Sequence, residues 1–240
     1  MKNLPSINFD PRPKGQDVDI LIFHYTGMRS AQAALDRLCD PVAKVSAHYV
    51  IDEDGDCYRL VDEGDRAWHA GVASWAGATD INARSIGIEV VNPGHEWGYR
   101  PFPAIQMAAL RDLARTILGR HPIPPQRVLA HSDVAPDRRQ DPGELFGWSQ
   151  LAEAGIGIMP RNALAPLERG ALGPGDRDAE VEGLQVKLAS FGYGLGTSGI
   201  YDRATEFVMR AFQRHFRPGR IDGIADTECQ LALDDLLLQA

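Results

Sequence analysis

The most constraining feature of this sequence is an early apolar run, VDILIF at residues 18–23. A continuous, β-branched run of this kind predicts a strand buried on both faces, because a strand with one solvent-exposed face alternates polar and apolar residues. The fold must therefore cover a sheet on both sides. The predicted strand ends at His24.

Further strands and helices follow in alternation. Ser30 is a favourable N-cap for a helix whose apolar residues recur at helical spacing. Residues 48–51 and 57–61 are short strand-like segments on either side of Asp54 and Gly55. This pattern predicts a hairpin, because a glycine in the turn can take a positive φ.

The next segments complete an α/β pattern. Residues 86–91, IGIEVV, form another apolar run that is interrupted by the carboxylate of Glu89. Residues 103 to about 121 have helical periodicity, and the prolines that follow end this helix. A last strand at 128–130 ends at His131. Strands interleaved with helices predict an α/β fold with a mixed central sheet flanked by helices.

The composition changes at residues 160–178, PRNALAPLERGALGPGDRD. Proline, glycine and charge without periodicity are typical of a linker. Helical patterns then recur to the C-terminus and predict a small three-helix domain. We therefore expect an α/β domain at residues 1–159, a linker at 160–178 and a helical domain at 179–240. We also expect the helical domain to be a self-contained unit, so that residues 1–161 keep their function when it is removed.

Charge and composition exclude several classes of protein. A net charge of −8 and a pI near 5.3 argue against a nucleic-acid or anionic-membrane surface, which needs clustered basic residues. No run approaches the length of a membrane span. The N-terminus lacks the apolar segment of an export signal, and this predicts a cytoplasmic protein. The three cysteines lack the spacing of a disulfide framework or a zinc site: Cys39, Cys57 and Cys229.

A metal site is suggested by the stretch HSDVAPDRRQDPG at residues 131–143. His131 and Asp141 lie on one turn-rich loop, and His24 ends another strand. Two histidines and a carboxylate are the ligand type that holds a catalytic zinc with its fourth position open. Taken singly, each has an ordinary alternative, since histidines commonly end strands and an aspartate before Pro-Gly commonly forms a turn.

Five ordered motifs resemble a known family. They are FHYT at 23–26, SAHYVI at 46–51, RAWHAG at 66–71, SIGIE at 85–89 and the loop at 131–143. Together they resemble the zinc-dependent N-acetylmuramoyl-L-alanine amidases, whose fold is shared by phage amidase lysozymes and peptidoglycan recognition proteins. The resemblance spans about residues 18–148. It implies zinc ligation by His24, His131 and Asp141.

The same resemblance implies a mechanism. The family cleaves the amide between the lactyl group of N-acetylmuramic acid and L-alanine, and zinc activates the attacking water. Glu89 matches the catalytic glutamate, a general base; the alternative is a buried glutamate paired with an arginine. Arg139 occupies the position where relatives commonly have a lysine that stabilises the oxyanion. The alternative for Arg139 is a surface salt bridge.

Substrate contacts are also implied by the motifs. Three residues match positions in the substrate cleft of the family: Tyr49 in SAHYVI, His69 in RAWHAG, and Asn82, seven residues before Glu89. His69 is equally explained as a packed loop residue. Asp80 replaces a basic residue that some relatives carry. His48 is expected to be a core histidine or to support a ligand. The other histidines are expected at the surface: His95, His121 and His215.

The C-terminal region carries a second resemblance. Residues 181–233 are similar to the three-helix peptidoglycan-binding domain, with LQVKLASFGYG, a GIYDRAT turn and AFQ in order. The alternative is a helical cap that only packs on the enzyme.

The sequence thus predicts a monomeric zinc amidase whose partners are muropeptides or peptidoglycan, with no nucleic-acid partner and no membrane span. Two other functions stay open: a non-catalytic recognition protein, and a zinc peptidase that cleaves inside the stem peptide. The amidase substrate also stays open, because the absent export signal favours anhydro-muropeptides, whereas the C-terminal region favours polymeric wall.

Overall fold

The computed structural model describes residues 1–161 and 169–239. The middle of the predicted linker, residues 162–168, lies outside the described residues, as does residue 240. In the described part the strands are β1 (Lys2–Asn3), β2 (Phe9–Pro11), β3 (Ile20–Tyr25), β4 (Tyr49–Ile51), β5 (Cys57–Arg59), β6 (Asp65–Ala67), β7 (Ser85–Val90) and β8 (Val128–Ala130).

The helices alternate with these strands and then continue alone. They are α1 (Ala31–Cys39), α2 (Ile81–Arg84), α3 (Gly94–Trp97), α4 (Ala104–Leu118), α5 (His131–Val134), α6 (Trp148–Glu153), α7 (Ala179–Phe191), α8 (Arg203–Phe216) and α9 (Thr227–Gln239), with a 3₁₀ turn at Pro125–Arg127. Ser30 caps α1 through a bond from the Ala33 amide to its side chain, as predicted.

The central sheet is mixed, as the alternating pattern predicts. Its order is β1-β5-β4-β7-β3-β8, and only the β4–β5 hairpin is antiparallel. A separate ribbon pairs β2 with β6. The parallel strands β7, β3 and β8 lie side by side, so their carboxyl ends meet at one edge, which is where open α/β sheets place their sites.

Strand β3 is buried on both faces, as its apolar run predicts. Leu21 and Phe23 face a core formed with α4 and the segment that contains α6. Ile20 and Ile22 face the opposite side, where the C-terminal helices cover the sheet. His24 continues this second face, because side chains alternate along a strand.

The C-terminal helices share one apolar core with the sheet. This cluster joins Ile22, Leu129 and Trp75 to Phe191 and Phe212 of α7 and α8. Removal of these helices would expose one face of the sheet. This packing argues against our expectation that residues 1–161 keep their function without the helical domain, and truncation would test it. The domain boundaries at 159/160 and 178/179 stay predictions.

One of the three histidines expected at the surface is in fact buried. His215 is only 2% exposed and its ring stacks on Trp148, with ring centroids 3.7 Å apart. The helix periodicity around His215 could not show this, because Trp148 comes from a distant segment. His95 is exposed as expected, and His121 is partly buried against Glu63.

None of the helices in the described ranges is long and apolar enough to cross a membrane. All three cysteines are free; Cys229 is buried, and Cys39 and Cys57 are partly buried.

Candidate active site

Three side chains converge at the edge of the sheet where β3 and β8 end. His24 Nδ1 lies 3.0 Å from His131 Nδ1 and 3.0 Å from Asp141 Oδ2. His131 Nδ1 lies 2.9 Å from the same carboxylate oxygen. All three residues are buried. The structure thus brings together the two strand-end histidines and the loop aspartate that the sequence singled out.

The His131 ring is oriented by a backbone carbonyl. Its Nε2–H donates to Ala70 O at 3.0 Å, so that Nδ1 carries a lone pair directed at Asp141 and His24. Such a bond fixes the tautomer of a metal-binding imidazole. His131 also begins the single turn of α5, whose Ser132 amide donates to Asp141 O at 3.0 Å. The two ligand candidates of this loop are therefore linked through the backbone.

His24 is oriented by a chain of side chains. Its Nε2 lies 3.0 Å from His69 Nδ1, and His69 Nε2 lies 3.2 Å from Ser85 Oγ. The Ser85 hydroxyl donates to Ile81 O at 2.7 Å. Because a carbonyl only accepts, the chain runs from His24 through His69 to Ser85, and Nδ1 of His24 is left with its lone pair.

His69 therefore lies behind His24, although it also lines the cleft. Its ring lies above Gly87, where a Cβ would come within 2.5 Å of the imidazole. Burial holds the pKa of His69 well below its ordinary value. His48 supports the same strand, since its Nδ1 accepts from the Gly87 amide at 3.0 Å. This agrees with our interpretation of His48 as a buried supporting residue.

The charge states of the cluster suit a cation. Burial and the charge of His131 lower the pKa of His24 to about 4, so its ring is neutral at pH 7. Burial raises the pKa of Asp141, but the two imidazoles outweigh it and hold this pKa well below the ordinary range. Two lone pairs and a carboxylate oxygen thus meet within 3.0 Å. This donor set and spacing fit a tetrahedral zinc with one open position.

Glu89 faces the same side of the sheet. In the register of β3 and β7, His24 pairs with Glu89, and Glu89 lines the cleft. Its Oε2 is buried without a hydrogen-bond partner among the described residues. Burial and the charge of Asp141 raise the pKa of Glu89 well above its ordinary value. Among the described residues no arginine pairs with Glu89, which is the alternative that the sequence left open.

The side chains of the neighbouring residues Arg138 and Arg139 have different surroundings. Arg139 is exposed and lines the cleft. Arg138 Nε donates to Val72 O at 2.8 Å, and its terminal nitrogen also contacts Ala70 O. Arg138 therefore anchors the segment whose carbonyl orients His131, whereas Arg139 is available to a ligand.

The cleft around these residues has a volume of about 570 Å³. Its rim carries aromatic and polar side chains that the sequence motifs did not single out as site residues. Tyr25 OH lies 3.0 Å from His95 Nδ1, and His95 Nε2 lies 3.1 Å from Glu144. Arg29 lies over the ring of Trp97, 4.0 Å from its centroid. Only Tyr25 had a local signal, because it directly follows His24 in FHYT.

Two predicted substrate contacts lie elsewhere. Tyr49 donates to Glu63 Oε1 at 2.7 Å and lines a separate pocket near Arg120, not the cleft. Asn82 is buried and its Oδ1 accepts from the amides of His69 and Ala70. Sequence position could not show this, because the direction of a side chain depends on the face of the sheet and on the loop that packs over it.

Comparisons with known proteins agree with this geometry. The N-acetylmuramoyl-L-alanine amidase family matches residues 14–144, which include all the residues of the candidate site. The chain belongs to this amidase family. A second family, described as a putative peptidoglycan binding domain, matches residues 177–233.

Individual relatives of this amidase cover most of its length. The chain is 37% identical over 232 residues to N-acetylmuramoyl-L-alanine amidase AmiD of Escherichia coli strain K12, covering 92% of this chain and 82% of that protein. It is 32% identical to 1,6-anhydro-N-acetylmuramyl-L-alanine amidase AmpD of Haemophilus influenzae, covering 62% of this chain and 89% of the relative.

A solved structure has the same fold over both regions of the amidase. The complex of E. coli AmiD with anhydro-N-acetylmuramic acid-L-Ala-D-gamma-Glu-L-Lys superimposes with a TM-score of 0.80 at 35% identity. The match covers 95% of this chain and 92% of AmiD. The C-terminal helical domain is therefore part of the shared architecture.

Proposed function

We propose that this protein is a zinc-dependent N-acetylmuramoyl-L-alanine amidase that hydrolyses the amide between the lactyl group of muramic acid and L-alanine. The observation that carries this proposal is the convergence of His24, His131 and Asp141 beside Glu89 in one cleft. Three candidate zinc ligands next to a carboxylate that can act as a general base are typical of a zinc hydrolase. A non-catalytic recognition protein has no need for it.

The three ligand candidates would hold the zinc. When bound, zinc lowers the pKa of its water to about 7 and polarises the carbonyl oxygen of the substrate. The carbonyl of Ala70 and the ring of His69 would orient the two histidines, because each accepts a hydrogen bond from the Nε2–H of its histidine. This orientation leaves both Nδ1 lone pairs available.

Glu89 would be the general base. Its Oε2 is buried and without a partner among the described residues, and burial raises its pKa. A carboxylate with a raised pKa is a stronger base, and the best general base has a pKa near the working pH. Glu89 would take a proton from the attacking water and pass it to the leaving amine of L-alanine.

Arg139 would stabilise the developing oxyanion. It lines the cleft and carries the positive charge that relatives supply with a lysine. A cation aimed at the tetrahedral intermediate stabilises charge that appears only in the transition state. Arginine provides this charge with a planar fork rather than a point charge.

We infer that the substrates are muropeptides, with anhydro-muropeptides as the first candidates. E. coli AmiD is named in complex with an anhydro-N-acetylmuramic acid tripeptide, and the relatives named AmpD are 1,6-anhydro-N-acetylmuramyl-L-alanine amidases. The match of residues 177–233 to a peptidoglycan-binding family supports polymeric wall as a further substrate. A cytoplasmic location and a monomeric state stay predictions of the sequence.

Product masses test this function. Purified protein is incubated with an anhydro-muropeptide and with intact sacculi, with and without a chelator, and the products are identified by mass spectrometry. An amidase releases the intact stem peptide beginning with L-alanine, and the chelator stops this release. Fragments cut inside the stem peptide would instead indicate a zinc peptidase, and binding without any release would indicate a recognition protein.

A further inference from the structure

A buried carboxylate lies two residues after the metal-ligand candidate His131. Asp133 is on the turn of α5 and is 0% exposed. A buried carboxylate is stable only where several donors reach it, because removing it from water costs free energy that hydrogen bonds must offset. Three donors from the described part of the chain reach Asp133. One is the Ala130 amide, which donates to Oδ2 at 2.8 Å.

The other two donors come from the C-terminal domain. The Tyr193 hydroxyl donates to Asp133 Oδ1 at 2.8 Å, and His215 Nδ1 donates to Asp133 Oδ2 at 2.7 Å. Tyr193 and His215 are each 2% exposed. The bonds are therefore protected from water, and their loss would leave a buried charge without its donors.

The rings that carry these donors are themselves held in place. His215 stacks between Trp148 and Phe216, with centroid distances of 3.7 and 3.8 Å. Tyr193 packs on Trp75 at 4.9 Å. Trp148 and Trp75 both belong to the amidase region, so each donor ring is packed against the region that contains Asp133.

The loop that carries Tyr193 also contacts the segment that follows Ala70, whose carbonyl accepts from His131 Nε2. The Ala76 amide donates to Gly192 O at 2.7 Å, and the Ser74 amide donates to Val134 O at 2.9 Å. These residues continue the segment from Ala70, the carbonyl that accepts from His131 Nε2. The C-terminal domain thus touches both segments that fix the orientation of this imidazole.

We propose that Tyr193 and His215 are positioning residues of the active site, which act through Asp133 to hold the turn that carries His131. The C-terminal domain is then a structural part of the metal centre as well as a wall-binding region. This inference rests on the proposed zinc site. Neither residue lines the cleft, so their effect would pass through the α5 turn.

Point variants of the full chain separate positioning from general stability. Tyr193→Phe keeps the ring on Trp75 and removes only the hydroxyl donor. His215→Phe keeps an aromatic ring between Trp148 and Phe216 without the donor, whereas His215→Asn keeps a donor near the position of Nδ1. Tyr201→Phe is the matched control, because the Tyr201 hydroxyl is equally buried but donates to Gly223 O at 2.6 Å, inside the C-terminal domain.

Zinc affinity is measured by competition with a chromophoric chelator, well below the melting temperature of each variant. We expect Tyr193→Phe and His215→Phe to weaken zinc binding about tenfold, at the low end of the range for outer-shell partners of a metal ligand. We expect His215→Asn to recover part of this loss. Tyr201→Phe should lower the melting temperature and leave zinc affinity unchanged.

Hydrogen exchange of the metal-free protein gives an independent readout. The amides of Ser132 and Ala135 are bonded within the α5 turn and its loop. They should exchange faster in Tyr193→Phe and His215→Phe than in Tyr201→Phe, since the turn loses its anchor.

The outcomes distinguish the two proposals. If the wild-type chain binds no zinc, the proposed function fails whatever the variants do. If the wild type binds zinc and the Tyr193 and His215 variants match Tyr201→Phe in both zinc affinity and exchange, the positioning role is wrong. A weaker zinc affinity in His215→Asn than in His215→Phe would contradict action through the hydrogen bond.

Discussion

His24 and Glu89 lie opposite each other on neighbouring parallel strands, with their side chains on the same face of the sheet. Strand pairing therefore places a metal-ligand candidate and a base candidate side by side. A backbone register is rigid on the scale that catalysis requires, and catalytic groups built on strands are held more precisely than groups on loops. The ligand candidate Asp141 completes the set from the loop that follows β8 and α5.

The metal centre is tested first by zinc content. We expect about one zinc per chain, because three donors leave one open position for water. His131→Ala should lose the metal, since two remaining ligands bind zinc weakly. Elemental analysis of the dialysed proteins measures both. Stoichiometric zinc in His131→Ala would contradict the ligand assignment.

Glu89→Gln separates the base from the ligands. The substitution keeps size and hydrogen bonding but removes the proton acceptor, so turnover should fall by roughly 10² or more. Zinc content should be unchanged, because Glu89 is not in the ligand cluster. Steady-state rates on an anhydro-muropeptide, together with elemental analysis, check this. A rate near that of the wild type would mean that another group is the base.

The two arginines of the loop offer a paired test of oxyanion stabilisation. Arg139→Ala should reduce kcat/KM by about 3 kcal/mol of transition-state stabilisation, the scale of one lost oxyanion donor, while Arg139→Lys should retain most activity. Arg138→Lys is the comparison, since Arg138 anchors the segment at Ala70 and Val72. If kcat/KM of Arg139→Ala falls by less than about fivefold at full zinc content, Arg139 has no role in stabilising the oxyanion.

Truncation after Arg161 tests the shared core. Loss of α7, α8 and α9 would expose Ile22 and Leu129 on one face of the sheet and remove two donors from Asp133. We expect the truncated chain to be strongly destabilised and to lose activity on small muropeptides as well as on sacculi. Thermal unfolding and turnover are measured together. Full activity of residues 1–161 on small muropeptides would instead support the expectation, drawn from the sequence, that these residues function without the helical domain.

A carboxylate remote from the cleft should make stability depend on acid pH. Burial raises the pKa of Glu63, but bonds from Arg120, Tyr49 and His121 outweigh it and lower the pKa from 4.5 to about 2. A lowered folded-state pKa stabilises the fold above the unfolded pKa, and this contribution is lost as the pH falls from about 4.5 to about 2.

The matching variant is Glu63→Gln. At pH 7 its free energy of unfolding should be lower by about 2 kcal/mol, after a discount for the exposed Arg120 partner. The difference from the wild type should shrink as the pH falls through that window. Urea unfolding at a series of pH values measures it. A difference that stays constant with pH would assign the effect to packing rather than to charge.

Much of the site could be predicted from local sequence. The apolar runs that end at His24 and His131 placed both residues at strand ends, and turn residues around Asp141 placed it on a returning loop. Strand periodicity and turn chemistry depend on neighbours along the chain. For this reason the mixed sheet follows from local sequence, whereas the grouping of His24, His131 and Asp141 as one ligand set depended on the resemblance of their motifs to a known family.

Only the tertiary structure decided the surroundings of these residues. Sequence motifs could not show that His69 lies behind His24, that Tyr49 points into another pocket, or that His215 is buried against Asp133. Burial and side-chain direction depend on which distant segment packs on a given face. The periodicity of a helix does not show whether its polar face is exposed to solvent or covered by another segment. The C-terminal helices cover the second face of the sheet, and that contact, made between segments far apart in the chain, determines where these side chains lie.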